Sequence, residues 1–219
     1  GVVMTHGDDN GLVIPPRLAP TQVVIIPILV GNETSKVLQK ADEVLCRLQE
    51  LGVRAKIDSR DNLSPGAKYF EWERKGVPFR IEIGPKDLEK GQLALVRRLT
   101  PEGEDRKAFL PETEAISKLP DKLEYFQDDL LQAARRRREE STVRGVSSLA
   151  ELKEAFDSGA GFVYTGWSGN PAVEEIVKEE SKATIRVLPS QEFLSETTPT
   201  RCISGDADSV TEAVWARAY

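Results

Sequence analysis

The order of apolar and polar positions along the chain is typical of an α/β fold. Residues 22–30, QVVIIPILV, predict a short strand that is apolar on both faces and therefore buried. Residues 35–51 place apolar side chains at helical spacing, and Gly52 follows as a residue that can end the helix. Residues 53–57 predict a second strand. A strand–helix–strand unit of this kind predicts a parallel sheet.

The next elements have clear ends in the sequence. Residues 64–76 predict a helix, because a serine and a proline suit its start and a glycine suits its end. Residues 77–84 alternate between apolar and polar side chains, as expected of a half-buried strand. Residues 101–108 are polar and predict a loop, and a longer helix is predicted over residues 119–140.

The pattern breaks at residues 141–147, where we predict a domain boundary. Ser148 and Glu151 then form the capping box of a helix that ends at Gly159. The remaining predicted elements are a strand at 161–165, a helix at 171–180 and strands at 183–188 and 210–219. Both parts of the chain are therefore expected to be α/β.

The opening stretch, GVVMTHGDDNGLVIPPRLAP, does not begin with methionine. Its apolar first residues indicate a chain that starts within a strand. Residues 8–11, Asp-Asp-Asn-Gly, predict a tight turn between two strands. We expect either a processed protein or the tail of a larger one, with no leader segment.

Composition excludes several classes of protein. Hydrophobic residues make up 39% of the chain and charged residues 30%, which is ordinary for a globular protein. No apolar run reaches the roughly 20 residues that span a bilayer, so no membrane association is expected. The only cysteines, Cys46 and Cys202, lie far apart in the sequence, and this favours a reduced cytoplasmic protein.

The net charge is −6, from 30 lysines and arginines against 36 acidic residues. This argues against a protein that coats nucleic acid through its overall charge, but local basic faces remain possible. Arg135–Arg138 is one such cluster.

Spacing alone indicates little chemistry. His6 is the only histidine, so neither a serine–histidine–acid triad nor a histidine pair for a metal is indicated. Gly7 and Gly11 form neither a P-loop nor a dinucleotide-binding motif.

A resemblance extends this interpretation. MTHGDDNGLVIPPRLAPTQVVIIP, residues 4–27, closely resembles the motif 3 region of class II prolyl-tRNA synthetases. IDSRDNLSPGAKYFEWERKGVPFRIEIGPKDLEKGQ, residues 57–92, resembles the anticodon-binding core of the same family, and the final WARAY is similar to its C-terminal strand. The similarity covers essentially the whole chain. A terminal tyrosine and an extra domain are features of the archaeal/eukaryote-like form.

The resemblance implies three parts. Residues 1–20 would be a remnant of the class II catalytic domain. Residues 21–140 would form an anticodon-binding domain, with a mixed central sheet flanked by helices. Residues 141–219 would form a smaller α/β, or α+β, C-terminal domain.

The family implies a reaction and its partners. A prolyl-tRNA synthetase attaches proline to tRNA(Pro) with ATP and Mg²⁺, and the full-length enzyme is expected to be a homodimer. Motifs 1 and 2 of the class are not present in this sequence, so we expect the chain to be inactive by itself.

Five positions match residues of the family's active site. Arg17 takes the place of the motif 3 arginine, which packs against ATP and neutralises phosphate charge. Thr5, His6 and Gly7 fall where the family lines its aminoacyl-adenylate pocket. The α-carboxylate of Tyr219 matches a terminal group that reaches toward the active site.

Five further positions are expected to contact the anticodon. Proline anticodons share two guanines, whose edges offer N–H donors and an oxygen acceptor, and unpaired bases stack on aromatic rings. We expect Glu73 and Lys86 to contact base edges, with Phe70, Arg80 and Asp87 in support. The alternative is a set of surface salt bridges beside a buried tryptophan.

The C-terminal part lacks the zinc-binding cysteines of the family pattern. Many relatives hold zinc there with four cysteines. The matching positions are Ser168, Val173, Cys202 and Ser204. One thiol, two hydroxyls and a valine do not form a tetrahedral zinc site, so no zinc is expected.

Three alternatives to part of an active synthetase stay open at this point. The chain could be a non-catalytic paralogue that kept its tRNA-binding domains, or an isolated tRNA-binding module. It could also be a protein-interaction module that docks a partner on the basic helix at 134–138.

Overall fold

The computed structural model describes residues 1–100, 103 and 105–218. It divides into two units, residues 1–134 and 135–219, and each unit has its own mixed β-sheet and apolar core. The predicted α/β class is confirmed. The domain limits that the resemblance implies, at 20/21 and 140/141, stay a prediction.

The first unit contains a five-stranded sheet. Its strands are β1 (Val23–Pro27), β2 (Ala55–Ile57), β3 (Phe79–Ile83), β4 (Gln92–Arg97) and β5 (Lys107–Pro111). Their order across the sheet is β2-β1-β3-β4-β5. β1 pairs in parallel with β2 and β3, while β4 is antiparallel to β3 and β5. The predicted parallel unit therefore continues into an antiparallel half.

The helices that begin in the first unit are α1 (Val2–His6), α2 (Thr34–Glu50), α3 (Pro65–Arg74), α4 (Pro85–Glu89), α5 (Glu112–Ser117) and α6 (Leu119–Glu140). α2, α5 and α6 contribute to the larger core on one side, and α3 packs on the other. The predicted helices at 35–51, 64–76 and 119–140 are confirmed.

The side chains of β1 divide between the two faces because successive residues of a strand point in opposite directions. Val23 and Ile25 belong to the larger core. Val24 and Ile26 pack in the smaller core with Trp72 of α3. All five residues of the strand are buried, which confirms the prediction of a strand that is apolar on both faces.

A buried carboxylate fixes the entry to α3. Asp58 follows β2, and its Oδ2 accepts hydrogen bonds from Trp72 Nε1 and Arg60 Nη2, both at 2.7 Å. Arg60 Nε donates to Oδ1 at 2.8 Å. The hydrogen bonds from Arg60, and then that from Trp72, outweigh burial and hold the pKa of Asp58 well below its usual range. The charged form of Asp58 is therefore part of the folded structure.

The opening segment differs from its prediction. Val2–His6 is a short helix with no buried residue, not a strand. A strand needs a neighbour for its backbone groups, and within the described residues none lies beside this one, whereas a helix pairs its own. The turn at residues 8–11 is confirmed by hydrogen bonds in both directions between Asp8 and Gly11, but it does not connect two strands.

Arg98 joins this turn to the end of α3. It is a buried arginine just after β4. Its Nη1 and Nη2 donate to the two carboxylate oxygens of Asp8 at 2.9 and 2.6 Å. Its Nε donates to the carbonyl oxygens of Leu12 and Glu73, both at 3.0 Å. One side chain therefore holds three segments that are distant in the sequence.

Direct backbone contact reinforces this junction. Leu12 N donates to Arg74 O at 3.0 Å, so the segment after the turn lies against the last turn of α3. Gly11 has φ of +127°, and a Cβ there would stand 2.6 Å from the Cα of Arg74. Glycine is thus required at this position both by its backbone conformation and by the close approach.

The second unit contains a four-stranded sheet. Its strands are β6 (Thr142–Val146), β7 (Phe162–Trp167), β8 (Ala183–Val187) and β9 (Thr211–Arg217), and their order is β6-β7-β9-β8. β6 and β7 are parallel, and β9 is antiparallel to β7 and β8. The helices α7 (Leu149–Asp157) and α8 (Pro171–Ser181) share one core with the sheet.

One local prediction was wrong in detail. Within 141–147, where the sequence pattern breaks, Thr142–Val146 forms β6, and its alternation is interrupted because the register shifts between Val143 and Val146 around Gly145, which has φ of +76°. The predicted loop at 101–108 contains the start of β5, a strand defined by its pairing with β4. Residues 101, 102 and 104 of that predicted loop lie outside the described residues.

Across the helices that the structure describes, none combines the length and the apolar character that crossing a membrane requires.

The role of Asp58 predicts an acid-dependent stability. Asp58→Asn should lower the free energy of unfolding by about 2 kcal/mol at pH 7, because hydrogen bonds to a charged acceptor are lost. The pKa of Asp58 is lower in the folded than in the unfolded chain, so its contribution is present above about pH 4 and is lost as the pH falls further. Urea unfolding at several pH values should show the variant and the parent converging toward low pH. The exposed Asp61→Asn is the control, and a difference that stays constant with pH contradicts the prediction.

The junction at Arg98 predicts a large loss on truncation. Arg98→Met should lower the free energy of unfolding by about 3 kcal/mol, because the Asp8 carboxylate and two carbonyl groups lose their partner. The exposed Arg74→Met, on α3, should change it by less than about 0.5 kcal/mol. Urea unfolding followed by circular dichroism measures both. Equal stability of the two variants would show that the junction does not stabilise the fold.

Candidate nucleic-acid interface

A partly exposed polar surface lies on the antiparallel half of the first sheet, where Lys107 and Phe109 are the accessible side chains. The larger core takes Phe79, Ile81 and Ile83 of β3, so Arg80 and Glu82 point to the other face. The register places Arg80 opposite Val96 and Glu82 opposite Ala94 of β4, and these two face Lys107 and Phe109 of β5. The sheet surface is the face of β3, β4 and β5 that carries these six side chains.

A buried carboxylate organises the cations of the sheet surface. The side chain of Glu82 is only 4% exposed. Its Oε1 accepts from Arg80 Nε at 2.9 Å, and its Oε2 accepts from Lys107 Nζ at 2.7 Å. Burial of a carboxylate is costly unless it is paired, so Glu82 holds both cations in fixed positions.

An aromatic ring from α3 borders the same cations. The guanidinium of Arg80 lies 4.1 Å from the ring centre of Tyr69. Burial, and then the negative charge of Glu82, raises the pKa of Tyr69 to about 12. The hydroxyl of Tyr69 therefore stays protonated at neutral pH and donates its hydrogen bond to Glu82.

Glu73 lies four residues after Tyr69, on the same side of α3. Its carboxylate accepts a charge-assisted contact from Arg106 Nη2 at 2.7 Å, and the side chain is 16% exposed. Glu73, Arg80 and Arg106 line one small cleft at the edge of the sheet surface. A carboxylate and two guanidinium groups thus stand together beside an aromatic ring.

Phe109 provides an accessible ring at the outer strand. It is 55% exposed on β5, and Lys107 Nζ lies 5.1 Å from its ring centre. An exposed aromatic ring beside a cation can stack on an unpaired base.

The structure brings some predicted anticodon residues together and separates others. Glu73 and Arg80 meet at the cleft. Phe70 is exposed one position further around α3, near Arg74. Asp87, on α4, accepts from Gly84 N at 3.0 Å, and Lys86 is exposed beside it with no ion pair among the described residues.

Four residues of this surface were missed by the sequence analysis. Glu82 and Tyr69 could have been found, since Glu82 alternates with the apolar residues of a predicted strand and Tyr69 stands four residues before Glu73. Lys107 and Phe109 had no such signal, because the strand that presents them is set by pairing with β4.

Arg17 lies on the surface of the first unit. Its side chain is 68% exposed, and its Nη2 lies 2.7 Å from Glu124 Oε2 of α6. The backbone N–H of Arg17 donates to Gln127 Oε1 at 3.1 Å. The hydrogen bond that Arg17 donates to Glu124, and then the negative charge of Glu124, raises the pKa of Arg17. The arginine is thus held at a defined place by an acid that solvent can reach.

The other residues of the predicted adenylate pocket lie in the opening segment. Thr5 and His6 belong to α1, and Gly7 ends it with its N–H donating to Val3 O at 2.9 Å. Tyr219 lies outside the described residues.

The positions expected to have lost zinc lie in the second unit. Cys202 is buried. Burial opposes ionisation of its thiol, but the neighbouring polar groups of Ser168 and Ser204 outweigh this and lower its pKa. Val173 packs in the apolar core. Among the described residues there is no group of three or more histidine, cysteine or acidic side chains that could hold a metal ion.

Comparisons with known proteins identify both parts of the chain. Residues 22–124 match a family model described as an anticodon binding domain. Residues 149–219 match a model described as "Prolyl-tRNA synthetase, C-terminal". The first match contains the sheet surface, and the second contains Cys202.

Individual relatives agree with these matches. The proline–tRNA ligase of Mycobacterium leprae (strain Br4923) is 44% identical, and the alignment covers 100% of this chain and 44% of the relative. That of Natranaerobius thermophilus is 43% identical, with the same coverage. The chain therefore spans less than half the length of the curated relatives it matches.

A solved structure extends the likeness to the fold. The crystal structure of prolyl-tRNA synthetase from Cryptosporidium parvum, complexed with L-proline and AMP, is 36% identical in sequence. It superposes with a TM-score of 0.85, over 99% of this chain and 45% of that one. The chain therefore belongs to the prolyl-tRNA synthetase family, of which it carries the anticodon-binding domain and the C-terminal domain.

Proposed function

We propose that this chain is part of an enzyme that attaches proline to tRNA(Pro) with ATP, and that its first unit binds the anticodon. The observation that carries the proposal is the pair of cations held by Glu82 on a partly exposed sheet face, within the residues that match the anticodon-binding model. Fixed cations beside aromatic rings are the elements with which proteins recognise unpaired bases.

The chemistry of guanine fits the polar groups of the sheet surface and the Glu73 carboxylate beside them. Arg80 and Lys107 can donate to the guanine oxygen, and the carboxylate of Glu73 can accept from the guanine N–H groups when it exchanges its contact with Arg106. Tyr69 and Phe109 offer rings for stacking. Base edges differ between nucleotides, whereas phosphates do not, so these contacts would provide selectivity for the two anticodon guanines.

Three other predicted anticodon contacts fit less directly. Lys86 is exposed and suits a phosphate or a base edge. Asp87 is engaged as a cap of its own helix, and we assign it to orienting Lys86. Phe70 is exposed on the outer side of α3, where it can stack on a base next to the anticodon.

The catalytic contribution proposed for this chain is Arg17. A planar guanidinium can stack on adenine and pair with phosphate, and ATP would replace Glu124 as its partner. Thr5, His6, Gly7 and the carboxylate of Tyr219 would line the pocket for the prolyl group. The bound L-proline and AMP of the Cryptosporidium relative support this assignment. Mg²⁺ would neutralise phosphate charge when bound, and the whole enzyme is proposed to be a homodimer in the cytoplasm.

The donor set around Cys202 does not fit zinc. One thiol, two serine hydroxyls and a buried valine cannot provide the four nitrogen or sulfur ligands of a structural zinc site. The apolar core, which includes Cys202 and Val173, would instead hold this region.

The proposal predicts selective binding of tRNA(Pro). The chain should bind tRNA(Pro) at least about tenfold more tightly than the same tRNA with both anticodon guanines replaced, since each base contact contributes about 1–3 kcal/mol. Arg80→Gln should remove most of this difference. Fluorescence anisotropy with labelled tRNA measures it.

Controls separate recognition from charge and folding. Lys36→Gln removes one positive charge on α2, on the other side of the sheet, and should preserve the selectivity. Phe109→Ala alters an exposed residue and should weaken binding without lowering the melting temperature. Equal affinity of the parent chain for both tRNAs would exclude anticodon recognition.

The absence of zinc is a separate prediction. The purified chain should contain well below one zinc per molecule by plasma mass spectrometry, and incubation with a chelator should leave its melting temperature unchanged. Stoichiometric zinc that survives dialysis would refute the assignment.

A further inference from the structure

Helices cover one face of the sheet of the second unit, and the segment after β8 covers part of the other. Val163 and Trp215 point into the core formed with α7 and α8. Because strand residues alternate, Phe162 and Tyr164 of β7 and Val214 of β9 point to the opposite face. These three side chains line a cleft of about 420 Å³, which lies within the usual range for a ligand site.

Aromatic rings form the floor and one wall of this cleft. Phe162 and Tyr164 contribute from the sheet, and Phe193 contributes from the segment after β8. Phe193 is about half exposed. The guanidinium of Arg144 lies 4.0 Å from the ring centre of Tyr164, so a planar cation already stacks at the border of the cleft. The aromatic cleft is the name we use for this site.

The charge of the aromatic cleft is positive, although the whole chain has a net charge of −6. Arg138 and Arg186 line it, and no acidic side chain does so among the described residues. Arg186 is exposed and has no ion pair within the part of the chain that the structure describes. Within the described residues, Arg138 pairs only with its neighbour Glu139, and Nη2 and Oε2 of the two side chains are 3.8 Å apart. Both guanidinium groups are therefore available to an anion.

We propose that the aromatic cleft binds an unpaired nucleotide of an RNA strand, outside the anticodon. A base would stack on the rings of Phe162, Tyr164 and Phe193, and the flanking phosphates would pair with Arg138 and Arg186. This combination favours single-stranded RNA over an acidic peptide, because stacked bases use the flat rings and the phosphates use the guanidinium groups. The inference rests on the proposed function in one respect only, which is that both assume that the chain binds RNA.

The test uses the full chain and a fluorescein-labelled RNA of about eight nucleotides that contains no guanine, so that an anticodon site for guanine does not contribute. Tyr164→Ala should weaken binding about tenfold by fluorescence anisotropy, and Tyr164→Phe should restore it because the ring is kept. Arg186→Gln should weaken binding and lower the slope of log affinity against log salt by about 0.7, as expected for one lost phosphate contact on a single strand. Melting temperatures confirm that each variant is folded.

Matched controls locate the effect. Lys178→Gln removes one exposed charge on α8, the covered side of the same sheet, and should leave affinity and salt slope unchanged. Arg80→Gln should also leave binding of this oligonucleotide unchanged. If that variant loses tRNA selectivity while oligonucleotide binding persists, the two sites act independently. If the parent lacks anticodon selectivity but Arg186→Gln still weakens oligonucleotide binding, the proposed function fails and the aromatic cleft stands.

Three results would overturn the inference. The first is an equal response of Arg186→Gln and Lys178→Gln. The second is equal affinity for the single strand and for its perfect duplex, since a duplex cannot place a base in the cleft. The third is competition by AMP at concentrations near the dissociation constant of the oligonucleotide, which would assign the cleft to a free nucleotide.

Discussion

The arrangement of the first unit depends on the buried guanidinium of Arg98, which must find hydrogen-bond acceptors. Arg98 lies at the end of β4, away from water, and a charge in that position must be paired and fully hydrogen-bonded. It finds a carboxylate on Asp8 and carbonyl oxygens on Leu12 and Glu73. These partners lie in the opening segment and at the end of α3. The segment that would contribute to catalysis and the helix that borders the sheet surface are therefore fixed by the same side chain.

A second buried charge has a different consequence. Glu82 stands on the sheet surface, and its carboxylate requires the two cations that the strands place beside it. Apolar residues of similar volume would serve stability equally well or better. What the carboxylate adds is order, because Arg80 and Lys107 lose little further rotamer freedom when they meet a base. Arg80 and Lys107 are therefore preorganised for binding, whereas an exposed lysine such as Lys86 must be ordered by its ligand.

The elements that follow from local periodicity could be predicted from the sequence. The prediction failed where pairing with another segment determines the secondary structure. β1 and α2 carry their own patterns, so their positions were predictable. β5 exists because β4 pairs with it, and α1 is helical because no described strand lies beside it. The site shows the same division. Arg80 and Glu73, both predicted contacts, lie together, but the rotation of α3 against the sheet decides that Tyr69 rather than Phe70 borders Arg80. The orientation of Tyr69 could be predicted in part from Trp72, because Tyr69 lies three residues before it on the buried side of α3.

The two proposed RNA sites share one electrostatic feature. An acidic chain repels RNA at long range, so attraction must come from cations that are grouped where acids are absent or buried. In the first unit Glu82 is buried beneath the cations it holds, and in the second the aromatic cleft has no acidic lining among the described residues. Each open face also carries rings, which act at contact distance and are insensitive to salt. Binding at such faces would depend on the local fold more than on net charge. A change of overall charge elsewhere on the surface would then alter the rate of association, while loss of a ring or of a held cation would alter the lifetime of the complex.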